Sequence, residues 1–410
     1  MKNEYESKLY QTAFPLKDAY NALQMPVYTS VAFEFESAEA IESAFVGQSA
    51  APTYSRISNP TVLYFENRVR NITGAGSVTA LNSGMAAISN TFIALAFAGA
   101  NIVTSRHLFG NTYSFLNSTL RDFDVEARFC DMNNPTEVKS CIDSNTCALF
   151  LEIITNPQLE IVDLKKLSAV AREMGVPLIA DTTVVPFCAF DAKQFGVDIE
   201  LVSSTKYISG GATSVGGLIV DYGTYDWQKS KKLRSLAEKF GKLAFTVKMK
   251  KEIHRNLGAY MTPQVASQQT SGLETLSLRF FRAAASCLKL AEELSECKEI
   301  VSVNYPGLPD NPHYKTSNAQ FGAYPGAMLT FDLPSREHCF AFLNRLKLIK
   351  RATNLFDNKS LAIHPESTIY GTFPAEERKK MNISPTTIRL SVGLENPDEL
   401  LDDLKQSLYG

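Results

Sequence analysis

The sequence predicts an α/β protein whose parallel sheet is followed by a smaller α+β domain, and two observations carry this. Five short apolar runs between residues 100 and 206 end in polar residues, at His107, Asp131, Asn156, Asp181 and Lys206. Successive ends lie 24, 25, 25 and 25 residues apart. One strand plus one helix fills such a step, so the runs read as parallel strands joined by crossover helices. From about Gly258 the rhythm changes to a long helical pattern over residues 264–297, followed by short strand-like runs such as AMLTFDL and TTIRLSV.

Taken in order, the first 55 residues lack that rhythm and include several aromatic side chains, which reads as an extended arm laid against another subunit. VTALN then runs through Ser83, Gly84 and Met85 into MAAISNTFIALAFAG, a strand followed by a buried helix. Amphipathic stretches such as DLKKLSAVAREMG fill the intervals between later strands, with Asp163 as the N-cap and Gly175 as the stop. The resulting division is an arm over 1–55, an α/β domain over 56–257 and an α+β domain over 258–410.

Composition narrows the function classes. The chain has 410 residues, 45% hydrophobic and 20% charged, with a net charge of −2. That balance argues against a nucleic-acid or membrane-surface partner held by bulk charge, and the basic stretch over 229–255 reads as a solvated helix face. The seven cysteines include no CxxC and the five histidines no ligand spacing, so buried reduced thiols and no metal are expected. The polar N-terminus has no signal-peptide pattern, and the longest apolar stretch, 91–103, is too short to span a bilayer. A cytoplasmic protein is the expectation.

Asp181 and Lys206 stand one βα unit apart at the same predicted sheet edge, where α/β proteins place their chemistry. Alone, the pair is explained by a capping aspartate and a solvated lysine. Together on that rim they suggest pyridoxal 5'-phosphate (PLP): the amine would hold the cofactor as a Schiff base and the carboxylate would keep its ring nitrogen protonated. Ser83-Gly84-Met85 opens a helix, whose free N–H groups favour an anion such as the cofactor phosphate by roughly 0.3–1 kcal/mol. Ser203 and Thr205, read as alternate positions of a strand end, would add hydroxyls to the same phosphate.

Eight motifs then carry a resemblance: YSRISNPT (54–61), LNSGMAAI (81–88), ITNP (154–157), ADTT (180–183), SSTKY (203–207), GLETLSLR (272–279), LAIHPEST (361–368) and IRLSVGLE (388–395). In this order they resemble the Cys/Met-metabolism family of PLP enzymes. The resemblance implies the type I fold of PLP-dependent transferases, with a mostly parallel seven-stranded sheet in the large domain. It implies Lys206 as the cofactor lysine, Asp181 on the ring nitrogen, Gly84, Met85, Ser203 and Thr205 on the phosphate, and Asn156 near the ring oxygen and the substrate carboxylate. Arg389 would grip that carboxylate. Tyr54 and Arg56 would reach the phosphate of a neighbouring subunit, within a homotetramer built as a dimer of dimers.

Within the family, about forty residues between Gly217 and the GAYMTP turn (258–263), together with TSVGG (213–217) and the Asn354-Leu355 pair, resemble the O-acetylhomoserine sulfhydrylase branch. Its substrates would be an amino-acid ester and sulfide or another thiol, with Asn354 and Leu355 on the substrate side. Phe109 stands where the family has a stacking tyrosine, so the phenolic proton is lost and Tyr113 or Lys206 would take over that role. Glu366 and Tyr370 would alter the substrate entrance, and His364 reads as structural. The rivals are a methionine γ-lyase or a cystathionine γ-synthase or γ-lyase, which share the cofactor residues, and a PLP-binding homologue without catalysis. Asn111, where methionine γ-lyases have cysteine, counts against the lyase. A nicotinamide dehydrogenase is weaker, because Gly74-Ala75-Gly76 lacks a third glycine.

Overall fold

The structure, a computed structural model, describes residues 4–15 and 18–409. The five apolar runs form β2 (Ala100–Thr104), β3 (Val125–Phe129), β4 (Thr146–Glu152), β5 (Leu178–Asp181) and β6 (Ile199–Val202). With β1 (Ser77–Leu81) and β7 (Gly217–Asp221) they build a seven-stranded sheet of order β1-β7-β6-β5-β4-β2-β3, in which only β7 runs against the rest. Helices cover both faces, so the central strands are apolar at nearly every position rather than at alternate ones. Leu149, Leu151 and Leu178 enter one core layer, and Ala148, Phe150 and Ile179 enter the other.

The smaller sheet has the order β10-β11-β12-β9-β8, from β8 (Ser302–Asn304), β9 (Met328–Asp332), β10 (Lys350–Arg351), β11 (Leu361–Ile363) and β12 (Thr387–Ser391). One hydrophobic cluster runs from Leu178 through Leu276 and Phe280 to Phe331 and Ile388, so the small sheet is anchored on the large one by continuous apolar contact.

Three expectations are corrected. The long helix over 264–297 is two helices, Pro263–Glu274 and Leu276–Ser295, broken at Thr275. No glycine or proline marks the break. It is stabilised by Arg279, whose Nε donates to Thr275 Oγ1 at 3.0 Å and whose Nη2 donates to Gly272 O at 2.7 Å, replacing helical bonds lost there. Second, the strand expected to reach Lys206 ends at Val202, and Ser203 to Lys206 form a turn closed by Lys206 N–H donating to Ser203 O at 3.2 Å. Third, the arm is not extended throughout. Its first helix, α1 (Tyr5–Tyr10), buries Tyr5 and Leu9 in the main core, and the Tyr5 hydroxyl donates to Leu273 O at 2.7 Å. Farther along, α2 (Ala38–Phe45) buries no residue, Ile41 and Phe45 on it and Val31 and Val46 beside it are exposed, and α3 (Pro60–Thr73) returns to the core through Phe65 and Val69.

The basic stretch is helical, with Phe245, Met249 and Ile253 buried and Lys239 and Lys242 in solvent, as read. Five of the seven cysteines, Cys130, Cys188, Cys287, Cys297 and Cys339, are buried. Among the described residues no helix is long and apolar enough to cross a membrane.

Candidate active site

A cavity of about 630 Å³ opens at the carboxyl edge of β4, β5 and β6 and is closed over by the loop after β10 and by β12. The structure brings Ser83, Gly84, Met85, Phe109, Asn156 and Asp181 to its wall. Ser203, Thr205, Lys206, Asn354, Leu355 and Arg389 line it as well. Asp181 is the last residue of β5, Lys206 lies in the turn after β6, and Arg389 comes from the middle of β12, three parts of the chain that meet only on folding.

One end of the cavity is an anion cradle. The Ser83 hydroxyl caps α4 (Gly84–Leu95) by accepting from Ala86 N–H at 3.1 Å, which leaves the first-turn N–H groups of Gly84 and Met85 without helical partners. The helix start presses hard against its surroundings. A Cβ at Gly84 would lie 2.7 Å from Ser203 Cβ, and one at Gly217 would lie 2.0 Å from Ser83 O, so glycine is required at both. Ser203, Thr205 and Lys206 reach the cavity from a turn rather than by strand alternation, and Ser204 is buried behind them. The Thr205 hydroxyl is braced by Gly216, accepting from its N–H at 3.0 Å.

Four charged side chains line the middle of the cavity. Burial and the Arg389 charge lower the pKa of Lys206 to about 8, against an opposing pull from Asp181 and Asp357. Its Nζ donates to Asn354 Oδ1 at 2.7 Å. Burial raises the Asp181 carboxyl, opposed by hydrogen bonds from Thr183, whose N–H lies 2.9 Å from Oδ1, and by Lys206. A cation placed in the cavity would favour its charged form. Glu152, in register with Asp181 on the next strand, is pushed well up by burial and then by Asp181.

Arg389 is 2% exposed, and burial lowers its pKa to about 10. Nη1 donates to Asn156 Oδ1 at 3.1 Å, and Nη2 to the carbonyls of Thr353 and Asn354 at 3.0 and 3.2 Å, while Nε has no partner. Among the described residues no carboxylate pairs with it. Leaving a buried cation without an anion costs of order several kcal/mol, so this guanidinium is prepared for an anion from outside the chain.

Several expected residues lie elsewhere. Tyr54 is 40% exposed, with the Arg56 guanidinium 5.4 Å from its ring centre, and the Arg56 side chain also donates to Arg255 O. Arg56 faces a separate hollow of about 150 Å³ beside Lys250 and His254. Tyr113 does not line the cavity: its hydroxyl donates to Glu377 at 2.7 Å and its ring stacks on Phe129. It therefore does not replace the missing phenol. Tyr370 and Glu366 are not entrance residues either. Tyr370 is fully buried, and Glu366 pairs with Arg378 at 2.9 Å. His364 is buried with both ring nitrogens hydrogen-bonded, to Ser367 and to Pro385 O, a structural placement.

A glycine-tight anion cradle, a lysine of lowered pKa, a buried carboxyl and an unpaired guanidinium in one cavity are what a phosphorylated aldehyde cofactor and an amino-acid substrate require. The family model for Cys/Met metabolism PLP-dependent enzymes matches residues 9–409. The chain belongs to this family. Its cofactor is accordingly pyridoxal 5'-phosphate, and the cavity fits it. The chain is 37% identical over 400 residues to O-acetyl-L-homoserine sulfhydrylase 1 of Thermus thermophilus, covering 94% of this chain and 95% of that protein. A putative O-acetylhomoserine (thiol)-lyase of Campylobacter jejuni, solved with a pyridoxyl-lysine phosphate, superposes with a TM-score of 0.92 at 31% identity, covering 99% of this chain and 100% of that one. An O-acetylhomoserine sulfhydrylase of Wolinella succinogenes is 43% identical, with a TM-score of 0.77 over 86% of this chain and 98% of its own.

Sequence reasoning missed Glu152 and Thr183. Thr183 lies two residues beyond Asp181 inside ADTT, so its signal was present. The Thr183 hydroxyl also accepts from Ser203 N–H at 2.8 Å, linking the two strand ends. Glu152 sits inside the apolar run CALFLEIITN, where a lone charge is easily set aside.

Proposed function

We propose that the protein catalyses γ-replacement on O-acetylhomoserine, joining sulfide or a small thiol to its aminocarboxypropyl group and releasing acetate. The unpaired, buried Arg389 carries the reading, and the relatives above give the substrate class. When bound, PLP supplies a ring that withdraws electrons from the substrate's amino-bearing carbon. The chain's own residues do the rest. Arg389, steadied by Asn156, binds the α-carboxylate in a two-pronged grip. The first turn of α4 with Ser203 and Thr205 would hold the phosphate, Asp181 would bind the ring nitrogen, and Phe109 would stack on the ring. Lys206 Nζ, its pKa lowered to about 8, takes the proton from Cα and moves protons at Cβ, while acetate leaves from Cγ and sulfide adds there. With Tyr113 turned away, both transfers fall to this amine.

The charge inventory also bears on the ester. Once Lys206 and Arg389 serve cofactor and carboxylate, no cation of this chain is left on the wall, where the remaining ionisable groups, Asp181 and Glu152, are both acids. A neutral acetyl group fits this, whereas a succinyl or phosphoryl group would bring an unpaired anion. The expected kcat/KM is at least about a hundredfold higher for O-acetylhomoserine than for the O-succinyl or O-phospho esters. Equal values would mean that a cation beyond those assigned to the cofactor and the α-carboxylate reaches the ester group.

A shared site is part of this reading. Tyr54 is exposed and Arg56 half-buried, both outside their own cavity, which supports their reaching a neighbour's phosphate in a homotetramer. Mixing an inactive Arg56→Ala protein with an inactive Lys206→Ala protein should then restore part of the activity after subunit exchange. No recovery despite verified exchange would refute the shared site. The odd number of cysteines and their lack of a CxxC pair support a cytoplasmic setting.

A further inference from the structure

The peptide between Leu108 and Phe109 is held at both polar ends by side chains from distant parts of the chain. Its N–H donates to Glu152 Oε1 at 2.6 Å, and its carbonyl accepts from the Tyr370 hydroxyl at 3.1 Å. The same two side chains bracket Asn156. The Asn156 N–H bonds to the Glu152 carboxylate, and the Asn156 carbonyl lies 2.8 Å from the Tyr370 hydroxyl. One carboxylate thus collects two N–H groups, and one hydroxyl serves two carbonyls. Glu152 is 8% exposed at the end of β4, and Tyr370 is fully buried in the segment after β11.

Both held residues line the cavity: Phe109 beside the cofactor position and Asn156, whose amide oxygen accepts from Arg389. Phe109 opens the five-residue helix Gly110–Ser114 with no capping side-chain bond of its own, so its peptide plane depends on the two bonds above. The next residue, Gly110, lies against the Tyr370 segment. A Cβ there would come within 3.3 Å of Ile369 O and of the Phe373 ring.

We propose that Glu152 and Tyr370 are positioning residues that act as one frame. Together they set the tilt of the Phe109 ring over the cofactor and the place of the Asn156–Arg389 pair that receives the substrate carboxylate. Neither touches the reacting atoms. The inference rests on the PLP site and not on the choice of ester or thiol.

The test uses PLP-loaded protein with Tyr370→Phe, which removes one oxygen, and Glu152→Gln, which turns a donor toward one of the two N–H groups. In each variant the visible circular dichroism of the bound cofactor is expected to fall by about half, because the ring loses a fixed neighbour. KM for the amino-acid substrate should rise about threefold to tenfold. Phe109→Leu should lower the same dichroism in the wild type and add nothing in the Tyr370→Phe background, since both changes act through one ring. Unchanged dichroism and KM in both single variants, or additive losses with Phe109→Leu, would overturn the frame. Should Tyr370→Phe fail to fold, Glu152→Gln carries the test; unfolding of both would assign the pair to stability and overturn the proposal. The dichroism needs no substrate, so a wild-type protein that binds PLP but ignores O-acetylhomoserine would refute the substrate reading alone.

Discussion

Replacing Lys206 with alanine is expected to lower turnover at least about ten-thousandfold and to remove the visible absorption band of the PLP-loaded protein. The expectation follows from position and pKa together. Lys206 is the amine on the cavity wall, in a turn pressed between Gly216 and the start of α4, and burial has already lowered its pKa to about 8. Asn354 and Arg389 remain in the variant, but neither has a lone pair suited to take a proton from carbon. In the wild type, capture of PLP by the cofactor-free protein should accelerate with pH and level off above about 8, because the lowered pKa makes the neutral amine the majority form there. A yellow, borohydride-reducible adduct surviving in Lys206→Ala would place the cofactor on another lysine.

Arg389→Ala is expected to raise KM for the amino-acid substrate by about tenfold to a hundredfold, the range for losing hydrogen bonds to a charged group, with the dependence on sulfide shifting far less. Sulfide has no carboxylate for the guanidinium to hold. The carbonyls of Thr353 and Asn354 are acceptors and the Asn156 amide is neutral, so none supplies the positive charge that Arg389 offers an anion. Steady-state kinetics with each substrate varied in turn checks this. An unchanged KM for the amino acid would remove Arg389 from the carboxylate site.

The residues legible in the sequence are those at a strand end or in the turn just past one. Asp181 and Lys206 stand out because an apolar run that stops at an ionisable residue marks a sheet edge, and parallel α/β sheets put their sites on the carboxyl edge. Arg389 was legible only through the family motif, since it lies inside a strand whose two faces are both covered, a place where burial cannot be read from alternation. Glu152 was invisible for a related reason: its partners are backbone N–H groups of two loops, and no side-chain pattern records them. Tyr370 was placed at the entrance from a motif difference, yet its hydroxyl turns inward to two carbonyls. The break at Thr275 also escaped, because side-chain bonds from Arg279 back to Thr275 and Gly272, and not a helix-breaking residue, stabilise it.

The departure at Phe109 has a consequence for mechanism. Stacking is retained and a phenolic proton is not, and Tyr113 is committed to Glu377. Proton movement at both Cα and Cβ then falls to Lys206, which its lowered pKa suits. The frame of Glu152 and Tyr370 would matter more with a plain phenyl ring, because such a ring has no hydroxyl to fix its own orientation.

The central claim is replacement at Cγ rather than elimination, and one measurement addresses it directly: product analysis of the PLP-loaded protein given O-acetylhomoserine, with and without sulfide. The account predicts homocysteine and acetate with sulfide and little 2-oxobutyrate without it. Steady release of 2-oxobutyrate in the absence of sulfide would contradict it and make the protein a γ-lyase.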